Sequence, residues 1–337
     1  MTQISRLFNA LVCCLLLANS NASPLFENDS TLDVTLSGPL GTLLDANDDT
    51  MEMPFTLQAD GVDHAIEVRI RGKSRKRVCD IPPLRLNFPS NGTEGTVFEN
   101  QNKIKLVTHC KNTDASRVDV VEEYAVYKIF SLLSDKSYQV RLLSLTYTDT
   151  DKILKETTFT GHGFAIEPAS ALAERIGGQQ ADAKGVVLST LDARQAATVY
   201  IFQYLVGNTD WSLVMADADD TCCHNGDLYD IGTRRFFVPY DFDLTGLVNA
   251  RYAKPDPSLR ISRVTQRRYR GYCIDPAELK TALIAIKARK PEILDVVRSL
   301  PVLSQKDIAK KVKFLEGFFR VAENEDKLIK SFDNKCL

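Results

Sequence analysis

The strongest constraint on the fold is a change of sequence periodicity between the two halves of the chain. In the first half, apolar residues alternate with polar ones, which is the pattern of strands with one buried face. Three segments show this alternation, residues 64–73, 84–88 and 103–106, and two further strands are predicted at 140–148 and 155–166. Residues 116–133 interrupt them with apolar residues at helical spacing. The stretch 60–168 therefore predicts an α+β unit of strands, one helix and further strands.

The second half is predicted to be mostly helical. Residues 191–206 have an apolar stripe at helical spacing and stop at Gly207, a residue type that commonly ends helices. The tetrad Asp-Pro-Ala-Glu at 275–278 combines a capping residue, Pro in the first turn and Glu three residues after the cap, which together indicate a helix start. We therefore expect a helical unit over 169–337 after a β-rich unit at 61–168.

The N-terminal stretch is predicted to contain an export signal and a short β extension. Arg6 is followed by a mostly apolar run that is too short to span a bilayer, and Ser-Asn-Ala at 20–22 offers a small-residue cleavage site. Residues 1–22 therefore predict a signal peptide. In residues 23–60, apolar residues at 32, 34 and 36 alternate with polar ones and predict a strand.

Net charge and hydropathy limit which classes of partner and which cellular locations are expected for this chain. The chain of 337 residues has a net charge of −2, so a nucleic-acid partner is not favoured. After the predicted signal, no run is long and apolar enough for a transmembrane helix. We therefore expect an exported protein that is periplasmic, surface-attached or secreted.

Six cysteines remain after the predicted cleavage: Cys79, Cys110, Cys222, Cys223, Cys273 and Cys336. An even number in an exported chain indicates disulfides, although six cysteines allow fifteen pairings. No Cys-x-x-Cys pair with suitable partners is present, so a zinc site is not favoured. Because Cys222 and Cys223 are adjacent, we expect them to bond to two separate partners. The favoured pairings are Cys79 with Cys110, and Cys273 with the insert that holds the adjacent pair.

Cations occupy the polar face of three predicted strands. If these strands pair, four side chains could line one positive surface: Arg69, Arg71, Arg85 and Lys105. Such a surface attracts phosphate. An ordinary antiparallel sheet with one solvated face explains the same pattern equally well.

Acidic and amide side chains concentrate between residues 207 and 243. Asp210 follows the end of the helix predicted at 191–206, and Asn225, Asp241 and Asp243 follow within the same segment. Carboxylate and amide oxygens suit Mg²⁺ held beside phosphates, and one further carboxylate could accept a proton from an attacking hydroxyl. Asn and Asp are also common turn residues, so the spacing alone does not decide between a site and a set of loops.

Five arginines lie between residues 260 and 270. This segment could hold an anionic substrate. A charge run is more often a solvated face, which is the interpretation that the sequence alone favours.

Several short motifs resemble the CotH family of spore-coat and secreted proteins, which have an atypical protein-kinase-like fold. The matching segments, in family order, are 70–74 (Ile-Arg-Gly-Lys-Ser), 84–88, 122–133, 164–168, 207–211 (Gly-Asn-Thr-Asp-Trp) and 239–243 (Pro-Tyr-Asp-Phe-Asp). The resemblance runs from residue 60 to residue 275 and implies a two-lobed protein-kinase-like fold of class α+β. The N-lobe would be β-rich and the C-lobe mostly helical.

The resemblance also implies roles for individual residues. Asp210 would be the catalytic carboxylate near the phosphate-accepting hydroxyl. The implied Mg²⁺ ligands are Asn225, Asp241 and Asp243. The implied phosphate-binding cations are Arg71, Arg85 and Lys105, with Glu122 or Glu123 orienting the cation. The cofactors would be ATP and Mg²⁺, and the acceptor a protein hydroxyl.

Two features depart from the family pattern. An insert separates Asp210 from Asn225, whereas the family's Asn follows its catalytic Asp closely. Arg stands where a phosphate-anchoring Lys is expected, and Arg does not reproduce the geometry of Lys. Three hypotheses therefore stay open. The first is an exported kinase-like phosphotransferase, and the second is a non-catalytic secreted or surface binding protein. The third is a calcium-stabilised protein with Asp217, Asp219, Asp220 and Asp241 as ligands.

Overall fold

The computed structural model describes residues 23–214 and 221–337. The predicted signal peptide and three aspartates of the calcium hypothesis, Asp217, Asp219 and Asp220, lie outside these ranges. Within them, no helix has both the length and the apolar character that crossing a bilayer requires.

Seven strands of the first half form a closed barrel. The strands are β1 (Leu32–Gly38), β2 (Met53–Ala59), β3 (Val62–Ile70), β4 (Leu84–Asn87), β5 (Lys103–Thr108), β6 (Val140–Asp149) and β7 (Thr158–Ile166). Their order around the barrel is β1-β2-β3-β4-β5-β7-β6. Neighbouring strands are antiparallel except for β1 and β6, which run parallel and close the ring.

The barrel interior is filled by the apolar face of each strand. Leu36, Leu57, Val68 and Leu106 are among the buried side chains that pack together there. The alternation that predicted strands in the sequence thus separates this core from the outer, polar face.

The closed barrel overturns the predicted fold class. We expected a two-lobed protein-kinase-like fold with a β-rich N-lobe, and this prediction is wrong, because the strands close through the parallel pairing of β1 with β6. That pairing extends from Leu32 beside Leu143 to Gly38 beside Asp149. β1 and β2 lie in the stretch 23–60, which the sequence assigned to an extension. The closing partners are more than a hundred positions apart, so no local pattern shows that they meet.

Helices and a small second sheet complete the structure. The helices are α1 (Pro24–Glu27), α2 (Leu40–Ala46), α3 (Arg75–Val78), α4 (Asp114–Ser131), α5 (Ala169–Arg175), α6 (Ala193–Val206), α7 (Pro276–Ala288), α8 (Lys290–Arg298), α9 (Gln305–Val321) and α10 (Glu325–Asp333). The three-stranded antiparallel sheet is ordered β10-β9-β8, from strands β8 (Gln179–Gln180), β9 (Gly226–Ile231) and β10 (Arg234–Pro239).

Local signals set the helix ends that position the site. Helix α4 is capped by Thr113, whose side-chain oxygen accepts a hydrogen bond from the Ser116 N–H. Helix α6 ends at Gly207, which has φ 68°, a left-handed conformation that glycine adopts readily. Asp210 therefore follows directly after a helix end, as predicted. The core packs α4 and α6 together, with Phe130 and Phe202 rings 4.6 Å apart.

Three disulfides form within the described residues, and one of them is the favoured pairing. Cys79 bonds to Cys110, as predicted. Cys222 and Cys223 bond to each other, so the expectation of two separate partners is wrong. Cys273 bonds to Cys336 rather than to the insert. Three bonded pairs are compatible with an exported protein.

Candidate functional site

A cleft lies between the barrel and the loop that follows β10. The barrel contributes Arg71 and Lys105, and the loop contributes Tyr240 and Asp241. The cleft has a volume of about 60 Å³. Burial lowers the pKa of both Arg71 and Lys105. The Lys105 ammonium also lies 5.4 Å from the centre of the Tyr240 ring, within cation–π range.

A larger neighbouring cavity shares Lys105 with this cleft. It has a volume of about 660 Å³, and its lining includes Arg85, Lys103 and Gln180. The predicted phosphate-binding cations are therefore divided, with Arg71 in the first cavity and Arg85 in the second. Lys105 lies at their common boundary. Arg69 points elsewhere, since its Nε is 3.6 Å from Glu52.

The floor of the cleft is a buried arginine that three carboxylates surround. Arg75 Nη2 lies 2.6 Å from Glu123 Oε2 and 3.3 Å from Asp241 Oδ1, and its Nε lies 2.9 Å from Asp243 Oδ2. Since the Arg75 side chain is only 7% exposed, these pairs compensate a charge that would be costly to bury alone. The arginine joins the start of α3, helix α4 and the loop after β10 at one point.

Asp241 is the carboxylate of this cluster that faces the cleft. Its side chain is 44% exposed, whereas that of Asp243 is 6% exposed. Partial burial raises the pKa of Asp241, and the neighbouring charge of Asp243 adds to this effect, while Arg75 opposes it. Its backbone has φ 59° and its N–H donates to the Tyr127 hydroxyl oxygen at 2.9 Å. The bond helps hold this left-handed residue in place.

Asp243 is held in the interior. Its Oδ2 accepts from Arg75 and, at 2.8 Å, from the Tyr252 hydroxyl. One oxygen of this predicted metal ligand is thus already occupied by two donors.

The two adjacent glutamates of α4 point to different partners. Glu123 contacts Arg75 on the cleft side, and burial raises its pKa while Arg75 lowers it. Glu122 contacts Lys311 of α9 at 2.7 Å, and burial raises its pKa to about 7. Of the two glutamates considered for orienting the phosphate-binding cation, Glu123 therefore contacts Arg75, which lines the cleft, and Glu122 is directed to Lys311 instead.

A second polar cluster forms around Asp210. Its Oδ1 is 3.0 Å from His224 Nε2, and its Oδ2 accepts from Asn225 Nδ2 at 2.8 Å. Asn225 also donates to the main-chain oxygen of Asp210 at 2.7 Å. The pKa of His224 is raised, chiefly by its hydrogen bond to Asp210. Asn225 therefore lies beside Asp210, although the insert separates the two residues in the sequence.

The main chain connects this cluster to the cleft. The Tyr240 N–H donates to the Asn225 oxygen at 3.1 Å, and Tyr240 directly precedes Asp241. The charge of Asp210 is close enough to raise the pKa of Asp241, as a smaller effect than burial. Asp210, Asn225, Asp241 and Asp243 therefore lie in one region.

Whether this region can bind a metal ion depends on how many protein ligands that ion requires. Within residues 23–214 and 221–337, no group of three His, Cys, Asp or Glu side chains is placed to hold a metal ion. Mg²⁺ does not require such a group, because it is commonly bound by one or two carboxylates, water and substrate phosphates. Asp241, with a partly exposed carboxylate, is the best placed ligand of this kind.

Sequence reasoning missed two members of the region. Arg75 belongs to the basic turn at 72–77, and its neighbours in the sequence gave no sign that it alone would be buried. His224 lies in the insert before Asn225 and was not predicted to belong to the site. A histidine directly before Asn225 was the available signal.

Comparison with known proteins gives little further information. No family model matches the sequence, so membership of the CotH family is not supported, and no curated protein matches it. Among solved structures, a crystal structure of the Helicobacter pylori proinflammatory kinase CtkA matches with a TM-score of 0.42 and 12% identity. The match covers 74% of this chain and 95% of that one. A similarity this distant does not assign a function.

Proposed function

We propose that the protein binds Mg-ATP in the cleft and transfers its terminal phosphoryl group to a protein hydroxyl. The observation that carries this proposal is the Arg75 cluster, which places the half-exposed Asp241 in the same cleft as the cations Arg71 and Lys105. Cations and a carboxylate in one cleft suit a polyphosphate bound together with a divalent ion. The proposal includes an exported location.

The residues present fit both parts of the ligand. Arg71 and Lys105 would contact phosphate oxygens, and the guanidinium of Arg71 can do so with two parallel hydrogen bonds. Asp241 and the amide oxygen of Asn225 would hold Mg²⁺. Bound Mg²⁺ would neutralise charge on the phosphates. The 660 Å³ cavity beyond Lys105 offers room for the rest of a nucleotide.

Asp210 is the group best placed to act on the acceptor. In the proposed reaction, the acceptor oxygen forms a bond to the terminal phosphorus, and the bond from that phosphorus to the bridging oxygen breaks. The hydroxyl proton passes to an Asp210 carboxylate oxygen. His224 and Asn225 orient that carboxylate through the hydrogen bonds described above.

Nucleotide binding is tested by thermal unfolding with and without Mg-ATP. A ligand at a hundred times its Kd stabilises the folded state by about 2.7 kcal/mol, so the midpoint should rise in the wild type. Asp241→Ala should lose the shift, and Asp326→Ala, an exposed aspartate of α10, should keep it. An equal shift in both variants, or none in the wild type at millimolar nucleotide, would contradict the proposal.

Transfer is tested separately with γ-labelled and α-labelled ATP. Label from the γ position should reach protein in the wild type and be absent with Asp210→Ala. Label from the α position would show that a nucleotidyl group moves instead, which would overturn phosphoryl transfer. Nucleotide binding without any transfer would favour the non-catalytic binding protein.

A further inference from the structure

The arginine-rich segment at 260–270 forms a cationic cleft close to Asp210. Four cations line this cleft: Arg267, Arg268, Arg270 and Lys335. Its volume is about 450 Å³. We call it the arginine cleft. It is separate from the cleft around Asp241, with which it shares no lining residue.

Aromatic rings form the floor of the arginine cleft. Tyr269 and Phe332 stack with ring centres 4.2 Å apart and planes 11° from parallel, and Tyr204 meets Phe332 edge-on at 4.8 Å. Phe332 and Tyr269 are buried. The floor is therefore apolar and buried beneath a charged rim.

The rim arginines are held by main-chain oxygens rather than by acids. Arg268 Nη1 donates to the Leu259 oxygen at 2.6 Å, and Arg270 Nη1 donates to the Thr209 oxygen at 2.9 Å. Among the described residues, none of the five arginines between 260 and 270 forms an ion pair. Within residues 23–214 and 221–337, Arg268 and Arg270 are thus each oriented by one hydrogen bond, which leaves further N–H groups of each guanidinium for an anion.

Arg267, in the same segment, makes contacts that attach the segment to the rest of the protein. It donates to the oxygens of Leu205 and Phe314, and its guanidinium lies 3.9 Å from the centre of the Phe314 ring. Burial lowers its pKa to about 10. Arg267 therefore fastens the segment to α6 and α9, and this contact keeps the arginine cleft in place.

The position of Arg270 connects the cleft to the proposed chemistry. Its bond to the Thr209 oxygen places it one residue from Asp210. An extended chain advances about 3.3 Å per residue, so a peptide seated on the rim would carry a hydroxyl to Asp210 within a few residues.

We propose that the arginine cleft binds an acidic segment of the protein acceptor and presents a nearby hydroxyl to Asp210. This inference rests on the proposed function. Carboxylates match the guanidinium geometry, and apolar side chains of the same peptide match the aromatic floor. Nucleic acid fits less well, because the cations are confined to one cleft of a chain whose net charge is −2.

The test is direct binding of a fluorescein-labelled, Glu-rich peptide containing one Ser, measured by anisotropy without nucleotide. The matched peptide has Gln in place of each Glu. The wild type should bind the Glu peptide about tenfold more tightly, with an affinity that falls as salt is raised. Arg268→Ala/Lys335→Ala should lose most of this preference.

A control variant removes the same charge at a distance from the cleft. Arg194→Ala/Lys184→Ala changes two exposed cations before and at the start of α6, and should bind as the wild type does. Equal affinity for the two peptides, or an unchanged Kd in the cleft variant, would overturn the proposal. A single-stranded oligonucleotide that displaces the peptide at lower concentration would overturn it in favour of nucleic acid.

Failure of this inference and of the proposed function are distinguishable. Asp210→Asn should still bind the Glu peptide, since binding needs no transfer. If the peptide binds but never receives phosphoryl, the proposed function fails. If it receives phosphoryl with the same KM in the wild type and the cleft variant, the arginine cleft has no role in acceptor binding.

Discussion

At the scale of single residues, Arg75 holds the candidate site together. Replacing it with Ala would leave Glu123, Asp241 and Asp243 without their buried cation. Removing one partner of such a group costs about 3–5 kcal/mol. We expect Arg75→Ala to lower the free energy of unfolding by this amount in urea denaturation. Arg75→Lys keeps the charge but not the three contacts. Its free energy of unfolding should lie between those of Arg75→Ala and the wild type.

The matched control for Arg75 is two residues further along the chain. Arg77 is exposed in the same short helix, so Arg77→Ala should change stability by less than about 0.5 kcal/mol. Similar losses in the two Ala variants would show that the Arg75 cluster does not stabilise the fold.

The raised pKa of Glu122 predicts how the free energy of unfolding depends on pH. Its pKa rises from an ordinary 4.5 to about 7 in the folded protein, chiefly because it is buried. The folded state then binds more protons than the unfolded state between these values, so stability falls as pH rises through this window. Relative to Glu122→Gln, the wild type should lose roughly 1–3 kcal/mol between about pH 5 and pH 8. A wild-type-to-variant difference that is constant over this range would contradict the burial argument.

Residue types alone indicated part of the site. Asp210, Asn225 and Asp241 were recognisable because hard oxygen ligands cluster in one segment, and the structure does bring them into one region. Glu123 was one of two adjacent glutamates, and only the rotation of α4 decides which of them faces the cleft. The partners of Arg75 are distant in the sequence, and the partner of His224 lies across the insert. No local sequence pattern shows such contacts.

At the scale of elements, local chemistry predicted part of the strands and helices, and it missed the second sheet β8–β10. β3, β4 and β5 lie where apolar alternation predicted strands, and α7 begins at Pro276 after its cap Asp275, as expected. β2 was not predicted, although Phe55, Leu57 and Ala59 alternate with exposed residues. Closure of the barrel was not predictable, because it requires the register between β1 and β6.

The disulfides differ in how much chain they restrain. The Cys273–Cys336 bond joins the segment before α7 to the end of α10 across a sequence separation of 63. The loop-closure model gives about 4 kcal/mol for a loop of this size, and well under 1 kcal/mol for the adjacent pair Cys222–Cys223. We expect Cys273→Ala/Cys336→Ala to lose much more stability in urea denaturation than Cys222→Ala/Cys223→Ala. The reverse order would show that loop closure is not what these bonds contribute.

At the scale of the whole molecule, helix α4 joins the barrel to the helical half. It packs on β7 and on α8, and its adjacent glutamates bind Arg75 on one side and Lys311 of α9 on the other. Lys311 also donates to the main-chain oxygens of Leu247 and Val248, shortly after the Asp241 loop. The candidate site is therefore positioned by both halves of the chain, and neither half contains it alone.

Closure of the barrel gives a test of the architecture itself. Thr35 of β1 lies beside Gln58 of β2 and Thr146 of β6, so β1 has a partner on each side. Proline lacks an N–H and is tolerated in sheets only at edges, strand starts or bulges. Thr35→Pro should therefore cost about 3 kcal/mol or more, or prevent folding, whereas Thr35→Ala keeps the N–H and should cost about 1 kcal/mol or less. If residues 23–60 were only an extension beside an open sheet, the two variants would be almost equally stable in urea denaturation. A small difference between them would thus refute the closed barrel, and a large one would place β1 in the interior of the sheet.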